Sequence, residues 1–380
     1  MGKFKNIFLI GLISSIPTLL LWLPFFLRLS SFWTISLPKD GMATIVANYD
    51  GPLYIVVAKS FYDPDTIDNF NFNLPVKYFA AHFPLYPFLI RLFSFIGYPY
   101  AMLLVTVVSS VVAVFAFSKF ISDFVDKKEV VWLTLIFSIF PARWLIVRSV
   151  GSPESLFLAL IILSVYFFKK DKILISGLFG GLAALTKSPG ILLFPALVGA
   201  YFIPLVRATL SIKGNSQPKN YGKIFYLFLI PLATLLVFYL YKIRLGDFLA
   251  YFHSGDNIHL FFPPFQIFNS HLPWVGTFWL EEVIFVYLIG AVGVFKLVKK
   301  DPISAWFVAI LFLSTLFIAH RDIVRYSLPI IPFLLAAYSQ YLTRKEFKFA
   351  FALIIIPIYL FSLTFISSNI MPISDWGPLL

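Results

Sequence analysis

Asp50 stands in the tetrapeptide Tyr49-Asp50-Gly51-Pro52, a carboxylate beside a Gly-Pro turn with an apolar run after it. Two kinds of chemistry suit that position. An ionised carboxylate held at a turn can take the proton of an attacking hydroxyl, general-base help worth roughly 10²–10⁴-fold in rate. Asp is also a favoured N-cap, and Pro52 suits the first helical position, so the same side chain could simply close a helix start. Other titratable groups lie near the ends of apolar runs. Arg143 and Arg148 lie near one expected turn, and Glu154 could pair with either, as a salt bridge or as part of a substrate contact. His253, His259 and His271 share one hydrophilic segment with Asp256, but their spacing matches no compact metal-binding motif. Glu281 and Glu282 read as a solvated helix start. The chain has no Cys, which excludes disulfides, thiolate metal sites and cysteine nucleophiles.

The elements that must position these groups are membrane helices. Of 380 residues, 60% are hydrophobic and only 13% are charged. A soluble domain carries about 25% charged residues, so a water-facing surface could not be built from this chain. Apolar stretches recur that are long enough to cross a hydrocarbon core about 30 Å thick. Runs this continuous lack the alternation of a barrel, so the expected fold is all-α and polytopic. About eleven spans are expected, roughly 6–28, 98–119, 130–147, 153–168, 173–187, 190–206, 224–243, 280–298, 303–319, 326–342 and 349–366. The first follows Lys3 and Lys5 like a signal sequence but is closed by no small-x-small cleavage site, so it reads as a retained span. With the N-terminus in the cytoplasm and the C-terminus outside, the cytoplasmic segments hold the entire net charge of +12 and the outer segments sum to zero. That is the positive-inside distribution, and it explains the basic balance without a nucleic-acid partner.

Two long segments fall on the expected outer face, 30–97 and 244–279, and loops of that length are usually functional. In the first, Leu53, Val56, Val57 and Phe61 recur at helical spacing after Pro52, which predicts a short amphipathic helix lying in the interface. Asp63-Pro64-Asp65 ends it. A polar stretch with three Asn follows, and then a second apolar helix opens near residue 84. Phe261-Phe262 and Trp274…Trp279 flank the second segment, as an interfacial aromatic belt or as sugar- or lipid-contacting rings. The expected partition is a module over 1–243 and a remainder over 244–380.

The stretch from Asn48 to Tyr62, with Asp50-Gly51 and Tyr54, resembles the Trp-Asp-Gly-x-x-Tyr signature of the GPI mannosyltransferase II family of GT-C glycosyltransferases. Ala81-His82-Phe83-Pro84-Leu85-Tyr86-Pro87 is similar to that family's Ala-Phe-Phe-Pro-Leu-Tyr-Pro block. Ser152-Pro153-Glu154-Ser155-Leu156-Phe157 is similar to its Tyr-Ser-Glu-Ser-Leu-Phe, and Gly181 to Gly190 to its Gly-Leu-Ala-Ala-Leu-Thr-Arg-x-x-Gly. Arg325-Tyr326 resembles an Arg-Tyr pair near its C-terminal spans. Tyr49 stands for Trp, His82 for Phe and Lys187 for Arg, and Pro153 interrupts the third block. The resemblance implies a GT-C fold, a prokaryotic-type member, and inverting transfer from a polyprenyl-phosphate sugar, most often mannose. The acceptor would be a lipid, glycan or protein hydroxyl, with Asp50 as base and no obligatory metal or cofactor. Tyr49, Gly51, Tyr54, His82, Phe83, Pro84, Tyr86 and Glu154 would line the substrate. Tyr326 would also line the substrate, and Lys187, Arg321 and Arg325, at expected outer helix ends, could meet the lipid phosphate, whose growing charge needs fixed donors, unless these bases merely snorkel to the interface. His82 could hydrogen-bond sugar or phosphate, or be structural.

Rival readings are a lipid-linked glycan transporter or flippase, a non-catalytic membrane assembly subunit, and another polyprenyl-dependent enzyme. Transporters place ionisable groups within spans on broken helices of paired halves. Here they lie at span ends, and no matching halves are visible. The short chain without a retrieval tail points to a prokaryotic plasma membrane rather than an endoplasmic reticulum.

Overall fold

The computed structural model describes residues 2–210, 221–255, 259–272, 275 and 281–380. Asp256, Trp274 and Trp279, singled out above, lie outside the described residues. In chain order, α1 (Gly2–Phe26) leads through a two-residue hairpin, β1 (Ser31–Phe32) and β2 (Ile35–Ser36), to four short helices. These are α2 (Met42–Val46), α3 (Gly51–Ser60), α4 (Pro64–Asp68) and α5 (Leu85–Leu92). Then come α6 (Tyr98–Ile121), α7 (Lys127–Ile139), α8 (Ala142–Val147), α9 (Glu154–Lys169), α10 (Ile173–Thr186), α11 (Leu193–Leu210) and α12 (Leu229–Leu245). The remainder is α13 (Glu281–Lys300), α14 (Pro302–Thr315), α15 (Ile323–Tyr326), α16 (Ile331–Ala337), α17 (Ser339–Leu342) and α18 (Lys345–Ser368). Apart from the hairpin and isolated bridges, the described residues form no strand.

The chain is a multi-pass integral membrane protein. Four segments suffice by length and composition alone to cross a bilayer: Ile7–Phe26, Tyr98–Ile121, Gly222–Leu245 and Lys345–Ser368. Their exposed side chains are apolar, as on α1 (Phe8, Leu19, Leu20) and α18 (Phe349, Leu353, Ile356), which is the surface a hydrocarbon solvent selects. Other expected spans are interrupted. The one over 130–147 breaks into α7 and α8 at Pro141, which has no N–H to continue the ladder. The one over 326–342 breaks into short pieces, two of which open with Pro329 and Pro332 in their first turns. The segment opening at residue 84 becomes the eight-residue α5, about 12 Å long and too short to cross.

The chain forms two compact units, each built from separated segments: Met1–Ala159, Val237–Asn257 and Ser339–Leu380, then Leu160–Leu236 and Ile258–Tyr338. In the first unit, α3 has the length expected of the interfacial helix but is enclosed on every side, with only Lys59 of its ten residues partly open. It packs on α5 and α6, and the Lys59 ammonium donates to the Pro378 carbonyl at 2.7 Å. In the second unit, α10 presents a glycine face. A Cβ on Gly177 would overlap the Tyr226 carbonyl oxygen, so the two backbones approach as only small residues allow.

Ion pairs within each unit join segments that the charge distribution assigns to one side of the membrane. Lys77 meets Asp247 at 2.8 Å and Lys348 meets Glu129 at 2.7 Å in the first unit. Lys223 meets Asp171 at 2.6 Å and Lys169 meets Asp301 at 2.8 Å in the second.

Candidate functional site

Asp50 occupies the N-cap position of α3, yet its side chain makes no capping hydrogen bond. Its backbone carbonyl accepts the Tyr54 N–H at 3.0 Å, so the main chain starts the helix without the carboxylate. Two features make that turn rigid. Tyr49 is held at φ 48°, the left-handed region, and Gly51 has no room for a Cβ, which would overlap the Val46 carbonyl oxygen. The preceding residue, Asn48, is fully buried. Its amide donates to the Ile366 carbonyl at 2.7 Å and its oxygen accepts from Asn369 at 3.2 Å. The Met371 N–H closes the tie by donating to the Ala47 carbonyl at 2.8 Å. The Tyr49 ring lies 5.6 Å from that of Phe365, and the Arg143 guanidinium sits 3.8 Å over the same Phe365 ring. A half-buried carboxylate is thus carried on a clamped turn, and Tyr49 and Arg143 share one aromatic platform on α18.

The second sequence block folds against the same helix. Tyr54 meets His82 edge-on at 4.8 Å and Tyr86 edge-on at 5.1 Å. The fully buried Tyr86 hydroxyl pairs with the Thr106 hydroxyl at 2.6 Å, and Thr106 donates to the Met102 carbonyl at 3.0 Å. The backbone of the block is held by phenols: Tyr62 donates to the His82 carbonyl at 2.5 Å and Tyr241 to the Ala80 carbonyl at 2.8 Å. Phe83 packs edge-on to Tyr241 and Tyr251, and buried Pro84 starts α5 by accepting the Phe88 N–H at 2.9 Å. Glu154 is buried and accepts from the Ser152 hydroxyl. Asp50, Tyr54, His82, Tyr86 and Glu154 therefore all belong to the first unit.

Arg148 corrects one expectation. It is fully buried and bound to hydroxyls and carbonyls: Ser110 Oγ at 2.7 Å, Ser138 O at 2.5 Å, Ser14 Oγ at 3.1 Å and Ser14 O. With its donors absorbed by three helices it is a structural clamp rather than a substrate or Glu154 partner. Arg244, unremarked in the sequence, donates to the Phe61 and Ser60 carbonyls at 3.0 and 3.2 Å and closes the C-terminus of α3. Nearby, the Lys77 ammonium, then His253, hold the Asp247 carboxyl well below the usual carboxylate range. Asp63 is also lowered, by the Thr66 hydroxyl and N–H.

Solved structures with a similar fold include ArnT from Cupriavidus metallidurans bound to undecaprenyl phosphate, at TM-score 0.58 and 12% identity. That likeness covers 91% of this chain and 62% of ArnT. The Archaeoglobus fulgidus oligosaccharyltransferase, tethered with an acceptor peptide containing the NVT sequon, gives TM-score 0.52 at 14% identity, over 99% of this chain and 57% of that one. This is the GT-C fold. The chain spans less than two thirds of the length of either protein. No family profile and no curated protein matches its sequence.

The remaining residues expected at the site belong to the second unit. Lys187 caps the C-terminus of α10 in extended conformation, half-buried, and Arg321 is exposed just before α15. Arg325 and Tyr326 form the last turn of α15. Sequence reading missed the company Tyr326 keeps: His320 lies 5.4 Å from its ring and His259 6.0 Å, with the two imidazoles 4.6 Å apart. The segment carrying His259 pairs with 316–319, where the Ala319 N–H donates to the His259 carbonyl at 2.9 Å. The Asp322 N–H donates to His320 Nδ1 at 2.9 Å, which leaves Nε2 to carry the proton of the neutral ring. His253 bonds Asp247 in the first unit, and the His271 backbone N–H donates to the Asn269 side chain in the second. The pairing of His259 with His320 has no local sequence signal.

Proposed function

We propose that the protein is an inverting glycosyltransferase that moves a sugar, mannose on the family resemblance, from a polyprenyl phosphate to an acceptor hydroxyl on the extracytoplasmic face. One observation carries the reading: the Asp50 carboxylate stands at a helix start without capping it, on a turn braced by Tyr49, Gly51 and Asn48. A group spared that structural role and held in fixed geometry is what general-base chemistry requires. The GT-C fold, shared with a protein bound to undecaprenyl phosphate, supports the donor class.

In the proposed step the Asp50 carboxylate accepts the proton of the acceptor hydroxyl while its oxygen attacks the anomeric carbon from the face opposite the phosphate. A new C–O bond forms, the bond from the anomeric carbon to the phosphate oxygen breaks, and its electron pair leaves with the polyprenyl phosphate. Within the first unit, Arg143 and Tyr49 share the Phe365 platform, and in this reading they would orient the reacting groups. Lys187, Arg321 and Arg325 are proposed as phosphate contacts from their expected outer helix ends, and Arg suits that role best through its two-pronged fork. No metal or other cofactor enters the step.

The test is to incubate the purified protein in membranes with a panel of radiolabelled polyprenyl-phosphate sugars and follow the label. Transfer to an acceptor by the wild type and its loss in Asp50→Asn are expected. Lack of transfer from every donor, with lipid-linked glycan crossing the bilayer instead, would replace this reading with transport.

A further inference from the structure

The Asn-rich stretch after α3 has no part in the scheme above, yet it folds into a cleft. The chain between α4 and the 3₁₀ turn Val76–Ala81 encloses a cavity of about 270 Å³, with Asp68, Asn71 and Asn73 at its rim and Phe72 and Phe79 against it. The floor is preformed, since Ile67 and Phe79 are buried. The α4 end is anchored by Asp63, whose carboxylate accepts from the Thr66 N–H at 3.1 Å and the Thr66 hydroxyl at 2.6 Å. Asn71 and Asn73 both adopt φ 53°, a left-handed conformation that Asn tolerates better than most residues.

The chemistry of the rim is specific. One carboxylate and two amides converge there, and among the described residues none of these three side chains makes a hydrogen bond or ion pair within the protein. Their donors and acceptors are therefore turned to solvent or to a ligand. No cation lines the cleft, because Lys77 in the same segment is engaged with Asp247. A phosphate would find amide donors but no compensating cation, and the Asp68 carboxylate would repel it. A neutral polyol suits all of it: carboxylate and amide groups pair with vicinal hydroxyls, and an aromatic ring packs on the C–H face of a sugar. The volume accommodates a single pyranose ring.

Resting on the glycosyltransferase reading, we propose that this cleft is a carbohydrate subsite for the acceptor, holding a sugar remote from the hydroxyl that attacks. The ten residues of α3 separate its two ends by about 15 Å, with Asp50 before one end and the cleft after the other. The acceptor is accordingly a glycan long enough to bridge a distance of that order over the protein surface, rather than a simple alcohol or a monosaccharide. Its affinity comes from the cleft and its reactivity from Asp50.

The test separates binding from turnover. Full-length protein in nanodiscs is titrated with free mannotriose, mannobiose and N,N′-diacetylchitobiose, followed by saturation-transfer NMR, with calcium chloride alone as a further probe. At least one oligosaccharide is expected to bind wild type and Asp50→Asn equally. The double variant Asn71→Gly/Asn73→Gly, which keeps the left-handed backbone, should bind it about tenfold more weakly through the loss of two neutral hydrogen bonds. Asp68→Ala should act in the same direction, and undecaprenyl phosphate binding should be unchanged in both. Saturation of no oligosaccharide, equal binding by the cleft variants, or a response to calcium alone would each overturn the subsite. Oligosaccharide binding without sugar transfer by wild type would instead overturn the enzymatic reading and leave the cleft a glycan-binding site.

Discussion

Replacing Asp50 by Asn separates the two roles that a carboxylate beside a Gly-Pro turn can play. If its side chain capped α3, its loss would cost about 0.5–2 kcal/mol of stability, as N-cap deletions do. The structure has Asp50 at the N-cap position with no hydrogen bond from its side chain to the helix, and its half-buried setting leaves an isosteric amide room. No capping hydrogen bond is therefore lost on substitution, and the N-cap cost does not arise. The expected rate loss is about 10²–10⁴-fold, the worth of general-base help. Gly51→Ala is the internal contrast: its new Cβ would overlap the Val46 carbonyl oxygen, so it should lower stability by about 1–3 kcal/mol whatever the chemistry of its neighbour. The assay pairs thermal unfolding in detergent, followed by helical circular dichroism, with transfer of radiolabel from a polyprenyl-phosphate sugar. Asp50→Asn with wild-type turnover would refute the base. Asp50→Asn with full activity per folded molecule but a stability loss like that of Gly51→Ala would show the carboxylate to be structural.

Other consequences can be checked on the same preparation. Tyr86→Phe removes the hydroxyl paired with Thr106 at 2.6 Å while Thr106 keeps its bond to Met102, so unfolding should shift by about 1 kcal/mol. Lys169→Ala strands the nearly buried Asp301 carboxylate and should cost about 3 kcal/mol, whereas Lys223→Ala, which breaks a pair in water with Asp171, should cost under about 1 kcal/mol. Denaturation midpoints that rank the two equally would contradict the burial of the first pair. Asp247 has its folded pKa depressed by Lys77 and His253, so its stabilisation is present above the unfolded value near 3.9 and fades as pH falls through the folded value. Hydrogen exchange in residues 245–255 should therefore accelerate only in acid, and Asp247→Asn should remove that dependence.

The amino-acid sequence by itself determined the solvent of this protein and the order of its helices. Hydropathy is a local property, and a chain this apolar can satisfy its backbone in lipid only by folding into helices. The turn before α3 was legible for the same reason, because Gly51-Pro52 constrains its own backbone. What the Asp50 carboxylate does was not legible: cap and base need the same residue at the same place, and only the direction of its side chain separates them. The turn that carries it is anchored from far along the chain, where Asn48 bonds Ile366 and Asn369. The interfacial character read into Leu53, Val56 and Val57 changed to full enclosure for a related reason, since the other faces of α3 are covered by α5 and α6, whose docking no local period reveals. Arg148 looked like a cation at a membrane surface and proved to be bound by serines on separate helices, while His259 met His320 through a pairing of remote segments. Tertiary structure decides such matters because side-chain chemistry depends on partners, and in this fold the decisive partners lie on other helices.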